Sequence, residues 1–321
     1  MRRGTLVALW IIAFAAAAVG RPTLRLSLDF FVNPNHAPLV LSHERGFFAE
    51  EGIDVELLVP GNPSDPVKLA ASRAVDVALT PQINYLIARS EGLPLIAIGA
   101  LIDRALGGLL ALRGREIETI GDLRGRRIGY SLTPLEPVLW RTMLGCAGIG
   151  EHEVRLIHVG YATMQSLLAG SVDAVGAFRN FEPFVAELEG GDPVFFAQEE
   201  YCIPKTYELI LVVHPDLVAE RADDLAAFLR ALARGIEATT AGPASALETF
   251  LAAYPDLDDE LNRRSFDATR SLYAAGARHD ELGVWSEMRN FLIEQGLIDE
   301  RLPIEGLFTD ALLPPGAQPG E

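Results

Sequence analysis

Aromatic and hydrogen-bonding side chains follow several predicted strands at the point where each strand ends. They are Asp29, Phe30, Phe31, Asn33, Asn35 and His36 after the first strand, Thr80, Gln82, Asn84 and Tyr85 after the third, and Tyr130, Ser131, Tyr161, Phe178, Arg179, Asn180 and Glu182 in the second half of the chain. Aromatic faces suit a flat ring, and amide, imidazole and carboxylate groups can bond ring nitrogens and exocyclic amines. The set predicts a site for a small heteroaromatic ligand. The alternative is that the aromatics are core residues and the polar groups are caps and turns.

The elements that must position these residues alternate between strand and helix. The first half has predicted strands at residues 24–28, 55–59, 75–79 and 95–101, with helices at 39–51, from 66, and at 82–90. The second half has predicted strands at residues 109–112, 127–130, 154–159 and 172–177, with helices at 136–147 and 163–169. This alternation favours right-handed βαβ units and mostly parallel sheets, in which ligands bind outside the carboxyl ends of the strands.

Two further features of the chain indicate two similar lobes. Within residues 69–76 and again within 166–173, a helix end runs directly into a strand through Val-Asp, which is a weak internal echo. After a predicted buried strand at 208–213, residues that favour helices dominate to about residue 295. The predicted class is α/β, with a cleft between two lobes and a helical C-terminal return segment.

Composition excludes several classes of function. The 321 residues include 44 Asp and Glu against 27 Lys and Arg, a formal net charge of −17. A field of this sign repels phosphate backbones, so we expect no nucleic-acid partner and no anionic membrane surface. The Walker A, dinucleotide-binding, nucleophile-elbow and H-E-x-x-H motifs are absent from the sequence, and we expect neither a metal nor a cofactor.

The N-terminus has the pattern of an export signal. Arg2 and Arg3 precede an apolar run at 6–19 that ends in small residues, which predicts a signal peptide at residues 1–20, its cleavage, and a periplasmic protein. A retained anchor is the alternative, although the run is shorter than the roughly 20 residues that span a bilayer. Cys146 and Cys202 then reach an oxidising compartment where a bond between them is possible. Because Cys146 lies in an apolar helical pattern, we expect buried, unpaired cysteines.

Several longer motifs carry a resemblance to a known family. They are LDFFVNPNH at 28–36, ERGFF at 44–48, EGIDV at 51–55, NPSDP at 62–66, GAFRNFE at 176–182 and YELILV at 207–212. With these motifs the chain resembles solute-binding proteins of the thiamine-pyrimidine family, over most of its length after the signal. The GFF and GIDV motifs also occur in sulfonate- and nitrate-type binding proteins.

The resemblance implies a two-lobed type II periplasmic binding protein fold. Such a protein closes on a pyrimidine precursor of thiamine, of the formylaminopyrimidine or hydroxymethylpyrimidine type, and delivers it to an ABC permease and its ATPase for salvage. We expect a monomer with a first lobe at 24–112 and 208–310, a second lobe at 113–207 and a disordered tail at 311–321. The family's aromatic residue after Asp29 is usually Trp, whereas this chain has Phe30. Stacking survives that change, but the indole N–H is lost.

The resemblance and the strand-end pattern together predict nine ligand-binding residues. They are Phe30, Asn33, His36, Tyr85, Phe178, Asn180, Glu182, Tyr207 and Glu208. Phe30 is expected to stack on the ligand together with Tyr85 or Tyr207. Four of the nine are expected to hydrogen-bond the ring and its amine: Asn33, Asn180, Glu182 and Glu208. Glu208 has an alternative role, in which it starts a buried strand and caps the hinge.

Two alternatives to a pyrimidine-binding protein are open. The same fold could bind riboflavin or a sulfonate, although Arg179 is the one cation in the strand-end set. The resembling superfamily also includes an enzyme that makes the pyrimidine from its own histidine and a lysine-bound pyridoxal phosphate, and that carries a cysteine-rich motif. At those positions this chain has Thr80, Asn84 and residues 203–207. Without the lysine and histidine that chemistry has no reactant, so we expect no catalytic activity.

Overall fold

The computed structural model describes residues 20–62, 64–279 and 281–314. The strands in this part of the chain are β1 (Thr23–Ser27), β2 (Asp54–Leu58), β3 (Val77–Thr80), β4 (Ile96–Ile102), β5 (Gly107–Leu112), β6 (Arg127–Tyr130), β7 (Arg155–His158), β8 (Ala174–Phe178), β9 (Pro193–Ala197) and β10 (Leu209–Val213). The helices are α1 (Ala37–Glu44), α2 (Phe47–Glu50), α3 (Pro66–Ala71), α4 (Gln82–Ser90), α5 (Leu135–Cys146), α6 (Thr163–Leu168), α7 (Glu182–Leu188), α8 (Pro215–Glu220), α9 (Ala222–Ala241), α10 (Pro243–Ala253), α11 (Glu260–Thr269) and α12 (Leu282–Glu294).

The first sheet has the strand order β2-β1-β3-β10-β4. Strand β1 pairs in parallel with β2 and β3, whereas β10 pairs antiparallel with both β3 and β4. Strands β3 and β10 are buried at every residue, as expected for central strands covered on both faces. We call this sheet, together with the helices packed on it, the first lobe.

The second sheet repeats this plan with the order β7-β6-β8-β5-β9. Strand β6 pairs in parallel with β7 and β8, and β5 pairs antiparallel with β8 and β9. Both sheets are therefore mixed, rather than mostly parallel. The α/β class and the two-lobed arrangement predicted from the sequence are confirmed, and we call this second sheet with its helices the second lobe.

One strand lies in a different sheet from the one expected. Residues 107–112 were assigned to the first lobe, but β5 is bonded along its length to β8 and β9 of the second sheet. The chain therefore first crosses between the sheets at residues 103–106, and it returns at residues 198–208. Antiparallel pairing with a distant strand leaves no local sequence pattern, which is why the assignment was wrong.

The helix expected at 39–51 is divided in two. Gly46 lies between α1 and α2 with a φ of 75°, in the left-handed region that favours glycine. The Arg45 N–H closes α1 on the Leu41 carbonyl, and the Glu50 N–H then begins a new turn on the Gly46 carbonyl. The bend places α1 against the long helix α9 and brings the buried Phe48 ring parallel to Phe228, with centroids 5.6 Å apart.

The Val-Asp echo is a true structural repeat. In the first lobe the Asp76 carboxylate accepts the Arg25 backbone N–H at 2.8 Å, where the third strand begins beside the first. In the second lobe the Asp173 carboxylate accepts the Arg127 backbone N–H, also at 2.8 Å. Each aspartate in turn donates its own N–H to the carbonyl of the same arginine. Strands β6 and β8 thus occupy in the second sheet the places of β1 and β3 in the first.

The two cysteines do not have the expected form. Cys146 and Cys202 are joined in a disulfide with Cα atoms 5.9 Å apart, and both residues are exposed. Cys146 is the last residue of α5, where the helix leaves the core, so its apolar helical pattern did not lead to burial. The bond ties the end of that helix to the returning crossing at 198–208.

The two ends of the chain differ in how much of them the structure describes. The predicted signal peptide lies almost wholly outside the described residues, which begin at residue 20. Part of the predicted disordered tail is ordered, because Leu312 is buried in the core of the first lobe, whereas residues 315–321 lie outside the described residues. Within the described ranges, the structure contains no helix with the length and apolar character needed to cross a membrane.

Candidate functional site

The loop after β1 forms the first rim of the cleft and is held by its own side chains. The Asn33 side-chain oxygen accepts the Asn35 N–H at 2.9 Å, and its Nδ2 donates to the Phe31 carbonyl at 2.9 Å. Pro34 opens the short 3-10 turn that follows, where its fixed φ is compatible with the turn. This network leaves Phe30 42% exposed, with its ring edge-to-face against Phe31 at 5.1 Å. Phe30 is thus available for stacking, whereas the polar atoms of Asn33 hold the loop.

His36 is a fixed, fully buried part of this rim. Its Nδ1 accepts the Asn33 backbone N–H at 3.2 Å, which requires that nitrogen to carry no proton. Its Nε2–H then donates to the Asp29 carboxylate at 2.8 Å. With both nitrogens occupied and the ring inaccessible, His36 positions Asp29 and the loop backbone. The accessible member of this pair is the Asp29 carboxylate, since its side chain is partly exposed and the His36 ring is not.

The loop after β8 forms the second rim. Phe178 ends the strand and is 46% exposed, and its backbone N–H donates to the Glu182 carboxylate at 2.7 Å. Glu182 is the first residue of α7, so the same carboxylate closes the strand-to-helix turn. Burial raises the pKa of Glu182, and the bond from the Phe178 N–H works against that shift. The rim therefore combines an accessible aromatic ring with an enclosed acceptor for N–H groups.

Asn180 is the predicted site residue that touches both lobes. It lies in the second-lobe loop, is 2% exposed, and donates from Nδ2 to Asn35 Oδ1 at 2.8 Å and to Thr269 Oγ1 at 2.7 Å. Both partners belong to the first lobe. Its Oδ1 is buried without a hydrogen-bond partner in the described part of the chain.

Glu208 lies where the two crossings meet. Its carboxylate accepts the Leu106 N–H at 2.7 Å, while the Leu106 carbonyl accepts the Arg179 N–H at 2.9 Å. Burial raises the pKa of Glu208 to about 7, with the nearby Asp29 charge adding to the shift. Arg179 works against the shift, but its guanidinium is also paired with Glu199 at 2.6 Å. The geometry matches the alternative stated for Glu208, a cap on the hinge.

Tyr85 and Tyr207 do not lie where stacking on a ligand was expected. Tyr85 is fully buried with its ring edge-to-face on Trp285 at 5.9 Å, and its hydroxyl donates to the Leu307 carbonyl. Tyr207 is 3% exposed and packs on the same indole at 5.8 Å. Both rings are in the core because α4 and the start of β10 turn these positions toward α12. This corrects the prediction for the two tyrosines.

Glu136 is a residue at the same edge that the sequence reasoning missed. It lies in the first turn of α5, and its carboxylate accepts the Ser131 N–H at 2.6 Å and the Leu132 N–H at 3.3 Å. Burial raises the pKa of Glu136. The available signal was a glutamate in the first turn of the helix that follows a strand, the same position that Glu182 occupies in α7. Asn35 and Thr269 were also missing from that set, since contacts across lobes leave no local signal.

The titratable groups around the cleft do not form a metal-binding cluster. Among residues 20–62, 64–279 and 281–314, no three His, Cys, Asp or Glu side chains are grouped so that they could hold an ion. What these residues can do is accept and donate hydrogen bonds beside two exposed aromatic rings, Phe30 on the first rim and Phe178 on the second.

Comparison with known proteins relates the chain to a family. Residues 33–246 match the family model described as NMT1/THI5 like. A Haemophilus influenzae protein named for thiamine biosynthesis is 34% identical over 284 residues, which cover 88% of this chain and 90% of that protein. The formylaminopyrimidine-binding protein of Halalkalibacterium halodurans is 35% identical over 230 residues, 71% of this chain and 70% of that protein.

Solved structures share the fold at much lower identity. The alkanesulfonate-binding protein SsuA from Xanthomonas axonopodis pv. citri, bound to MOPS, has a TM-score of 0.69 and 14% identity. The alignment covers 91% of this chain and 99% of that one. The likeness confirms the periplasmic binding protein fold expected from the sequence.

The expectation of no catalytic activity is contradicted by other relatives. The 4-amino-5-hydroxymethyl-2-methylpyrimidine phosphate synthase of Legionella pneumophila is 26% identical over 294 residues, 90% of this chain and 92% of that enzyme. Relatives named as enzymes and relatives named as binding proteins thus align over most of this chain. Thr80 and Asn84, which replace the enzyme's expected reactants, do not outweigh that finding.

Proposed function

Because this chain belongs to the NMT1/THI5-like family, we propose that it binds a thiamine-precursor aminopyrimidine in the cleft between its lobes. The second rim carries the proposal, since the exposed Phe178 ring and the enclosed Glu182 carboxylate lie within one strand-to-helix turn. An aromatic face suits the pyrimidine ring, and a carboxylate accepts hydrogen bonds from its exocyclic amine. The formylaminopyrimidine-binding relative supports the same ligand class.

The proposal extends to export and delivery. The basic and apolar N-terminal pattern supports secretion to the periplasm, and the binding-protein fold supports transfer of the ligand to an ABC permease and its ATPase. In this arrangement Phe30 faces the ligand from the first lobe and Phe178 from the second. Asp29, held by His36, and Glu182 supply acceptors for N–H groups at the two rims.

Thermal unfolding tests the ligand class. The mature protein is heated with hydroxymethylpyrimidine, formylaminomethylpyrimidine, thiamine, riboflavin and taurine in parallel. A ligand at 100 times its Kd adds about 2.7 kcal/mol, which raises the Tm by several degrees. A shift with the pyrimidines alone supports the proposal, whereas a shift only with taurine or riboflavin contradicts it.

A matched pair of variants locates the site. Glu182→Gln removes the charge but keeps an oxygen for the Phe178 N–H, so the fold is retained while affinity falls about 10- to 100-fold. Glu189→Gln, at the exposed end of the same helix, leaves affinity unchanged. Equal affinities for the two variants would remove Glu182 from the site.

A reaction on the same pyrimidine is the second candidate function, favoured by the relative named as a pyrimidine phosphate synthase. Mass spectrometry of the same ligand mixtures distinguishes the two functions. A bound pyrimidine recovered unchanged supports capture for delivery. A pyrimidine that appears without having been added, or a ligand whose mass changes, supports catalysis.

A further inference from the structure

The side-chain amide of Asn180 has a defined orientation. Thr269 Oγ1 donates its one hydrogen to the Ser265 carbonyl at 2.7 Å, so toward Asn180 this oxygen can only accept. Asn180 must therefore present Nδ2 to Thr269, and the second hydrogen of Nδ2 reaches Asn35 Oδ1. Both N–H groups of the amide therefore donate to residues of the first lobe. The carbonyl oxygen must point elsewhere.

That carbonyl oxygen is buried and, like the Nε of the neighbouring Arg179, has no hydrogen-bond partner that explains its burial in the described part of the chain. Buried carbonyl groups in proteins are nearly always bonded, so such an atom between two lobes marks a place for a donor from outside the chain. The ligand class proposed above has such a donor in its exocyclic amine.

A second contact between the same two elements supports a docking role for this region. Arg264 on α11 pairs with Glu187 on α7, and its guanidinium lies 4.6 Å from the centre of the Phe184 ring. Helix α11, which ends at Thr269, belongs to the first lobe, and α7 begins two residues after Asn180 in the second. The two lobes therefore meet along α11 and α7, with Asn180 at the end of α11 marked by Thr269.

We propose that Asn180 couples ligand recognition to lobe closure, holding the first lobe through Nδ2 and accepting the ligand's amine N–H at Oδ1. The inference rests on the proposed function for the identity of the ligand, but not for the contact between lobes. Closure and recognition are then two functions of one amide, since a single planar group fixes both directions. Weakening the hydrogen bonds from Asn180 Nδ2 to the first lobe lowers affinity for every ligand by the same factor, because a smaller fraction of the protein is closed.

Three variants separate the two functions. Thr269→Val removes the acceptor and leaves the Asn180 carbonyl in place. Asn180→Leu removes both the Nδ2 hydrogen bonds to the first lobe and the side-chain carbonyl, while the volume of the side chain stays similar. Thr239→Val is the matched control, since Thr239 is also fully buried and donates to the carbonyl four residues earlier at 2.7 Å, but within the first lobe alone.

Affinity is measured by calorimetry for 4-amino-5-hydroxymethyl-2-methylpyrimidine and for the same molecule without its amine. We expect Thr269→Val to weaken both ligands about fivefold and to keep the ratio of their affinities. Asn180→Leu should weaken the amine-bearing ligand at least 30-fold and reduce the ratio at least fivefold. An unchanged ratio in Asn180→Leu overturns the recognition half of the proposal.

Small-angle scattering of the ligand-free proteins tests the closure half. Thr269→Val should have a larger radius of gyration than both the wild type and Thr239→Val. Equal radii for all three overturn the closure half, whatever the ligand. If wild type binds neither pyrimidine, the proposed function fails and so does the recognition half, while scattering still decides closure.

Discussion

The two lobes place different chemical groups at equivalent positions around the cleft. Each lobe has two neighbouring central strands, β1 and β3 or β6 and β8, and a side chain at or near the start of the next helix accepts backbone N–H groups beyond each strand end. In the second lobe Glu136 and Glu182 both close their own loops, with carboxylates. In the first lobe His36 closes its own loop, whereas Gln82 accepts from Thr206 and Tyr207 of the returning crossing. The strand plan is shared, and the accepting groups differ.

This difference assigns separate tasks to the two rims. Burial raises the pKa of both Glu136 and Glu182, so the second lobe holds acceptors whose charge is poorly solvated. An incoming amine gains most there, because its N–H groups replace the solvent those carboxylates lack. The first lobe supplies an aromatic face and the Asp29 carboxylate, through a loop that His36 and Asn33 hold in place.

The largest effect is expected when the first lobe receives a carboxylate at the start of a helix, as the second lobe has. Gln82→Glu introduces a carboxylate at a fully buried position, where Thr206 and Tyr207 still donate to it. The cost of burying the charge should lower the free energy of unfolding by about 4 kcal/mol at pH 8. Much of the loss should be recovered at pH 5, where the new group is protonated. Chemical denaturation at the two pH values measures the effect.

The control for that exchange is Gln165→Glu on α6, where the side chain is exposed. It should change stability by less than about 0.5 kcal/mol at either pH. A Gln82→Glu protein as stable as this control would mean that the first lobe tolerates a charge as readily as the second.

The hinge provides the next largest effect. Burial raises the pKa of Glu208 in the folded protein to about 7. At pH values between that of an ordinary glutamate and 7, Glu208 is therefore protonated in the folded protein but ionised in the unfolded chain. That contribution to stability is complete below about pH 4.5 and is lost as the pH rises through 7, a total of about 3 kcal/mol. Between pH 5 and 8, wild type should therefore lose more stability than Glu208→Gln. Glu200→Gln, exposed nearby, should follow wild type; a Glu208→Gln curve parallel to wild type would contradict the assignment.

A smaller effect sharpens the comparison at the second rim. Because the pKa of Glu182 is raised by burial, the carboxylate that accepts the ligand's amine is lost at a higher pH than for an ordinary glutamate. Pyrimidine affinity should fall as the pH is lowered from 8 to 5, since the ligand binds the charged form. Calorimetry across this range measures it, and Glu182→Gln should give a nearly flat profile. A wild-type profile equally flat would assign the recognition to a neutral group.

The smallest effect tests the part of the plan that the lobes share. Asp76→Asn and Asp173→Asn each weaken the carboxylate bond to an arginine N–H at the start of a first strand. Each should cost about 1 kcal/mol, since each variant weakens the backbone bond and one arginine ion pair, that of Asp76 with Arg221 and that of Asp173 with Arg127. Urea denaturation of the two variants should give values within about 0.5 kcal/mol of each other. A large inequality would show that the repeat is geometric only.

Local patterns in the sequence were sufficient for most of the fold. Alternation of strand and helix predicted most elements of both lobes to within a few residues, because periodic burial is a local property. It did not predict α7 and β9 of the second lobe. The repeated Val-Asp was visible for the same reason. The sheet to which β5 belongs and the pairing of Cys146 with Cys202 were not predicted, because each depends on residues far apart in the chain.

The same reasoning applies to the candidate site. Phe178 and Glu182 belong to the predicted set because they lie at a strand end and at the start of the helix that follows it. Tyr85 follows a strand and Tyr207 precedes one, yet both rings pack on Trp285 in the core. Spacing along the chain does not show which of these side chains will face α12. Asn180 was identified from its position, whereas its partners Asn35 and Thr269 come from two distant parts of the chain.

The strand orders have a consequence for ancestry. The chain runs through the same five-strand series twice, β1–β5 and then β6–β10, and each time the fifth strand is inserted into the sheet built by the other series. Neither half could complete its sheet alone. Two separate half-length chains would complete both sheets by exchanging their last strands, so the present protein has the topology of a strand-swapped dimer joined end to end. A gene duplication followed by fusion yields this topology directly, and the contact between the two lobes then corresponds to a former subunit boundary.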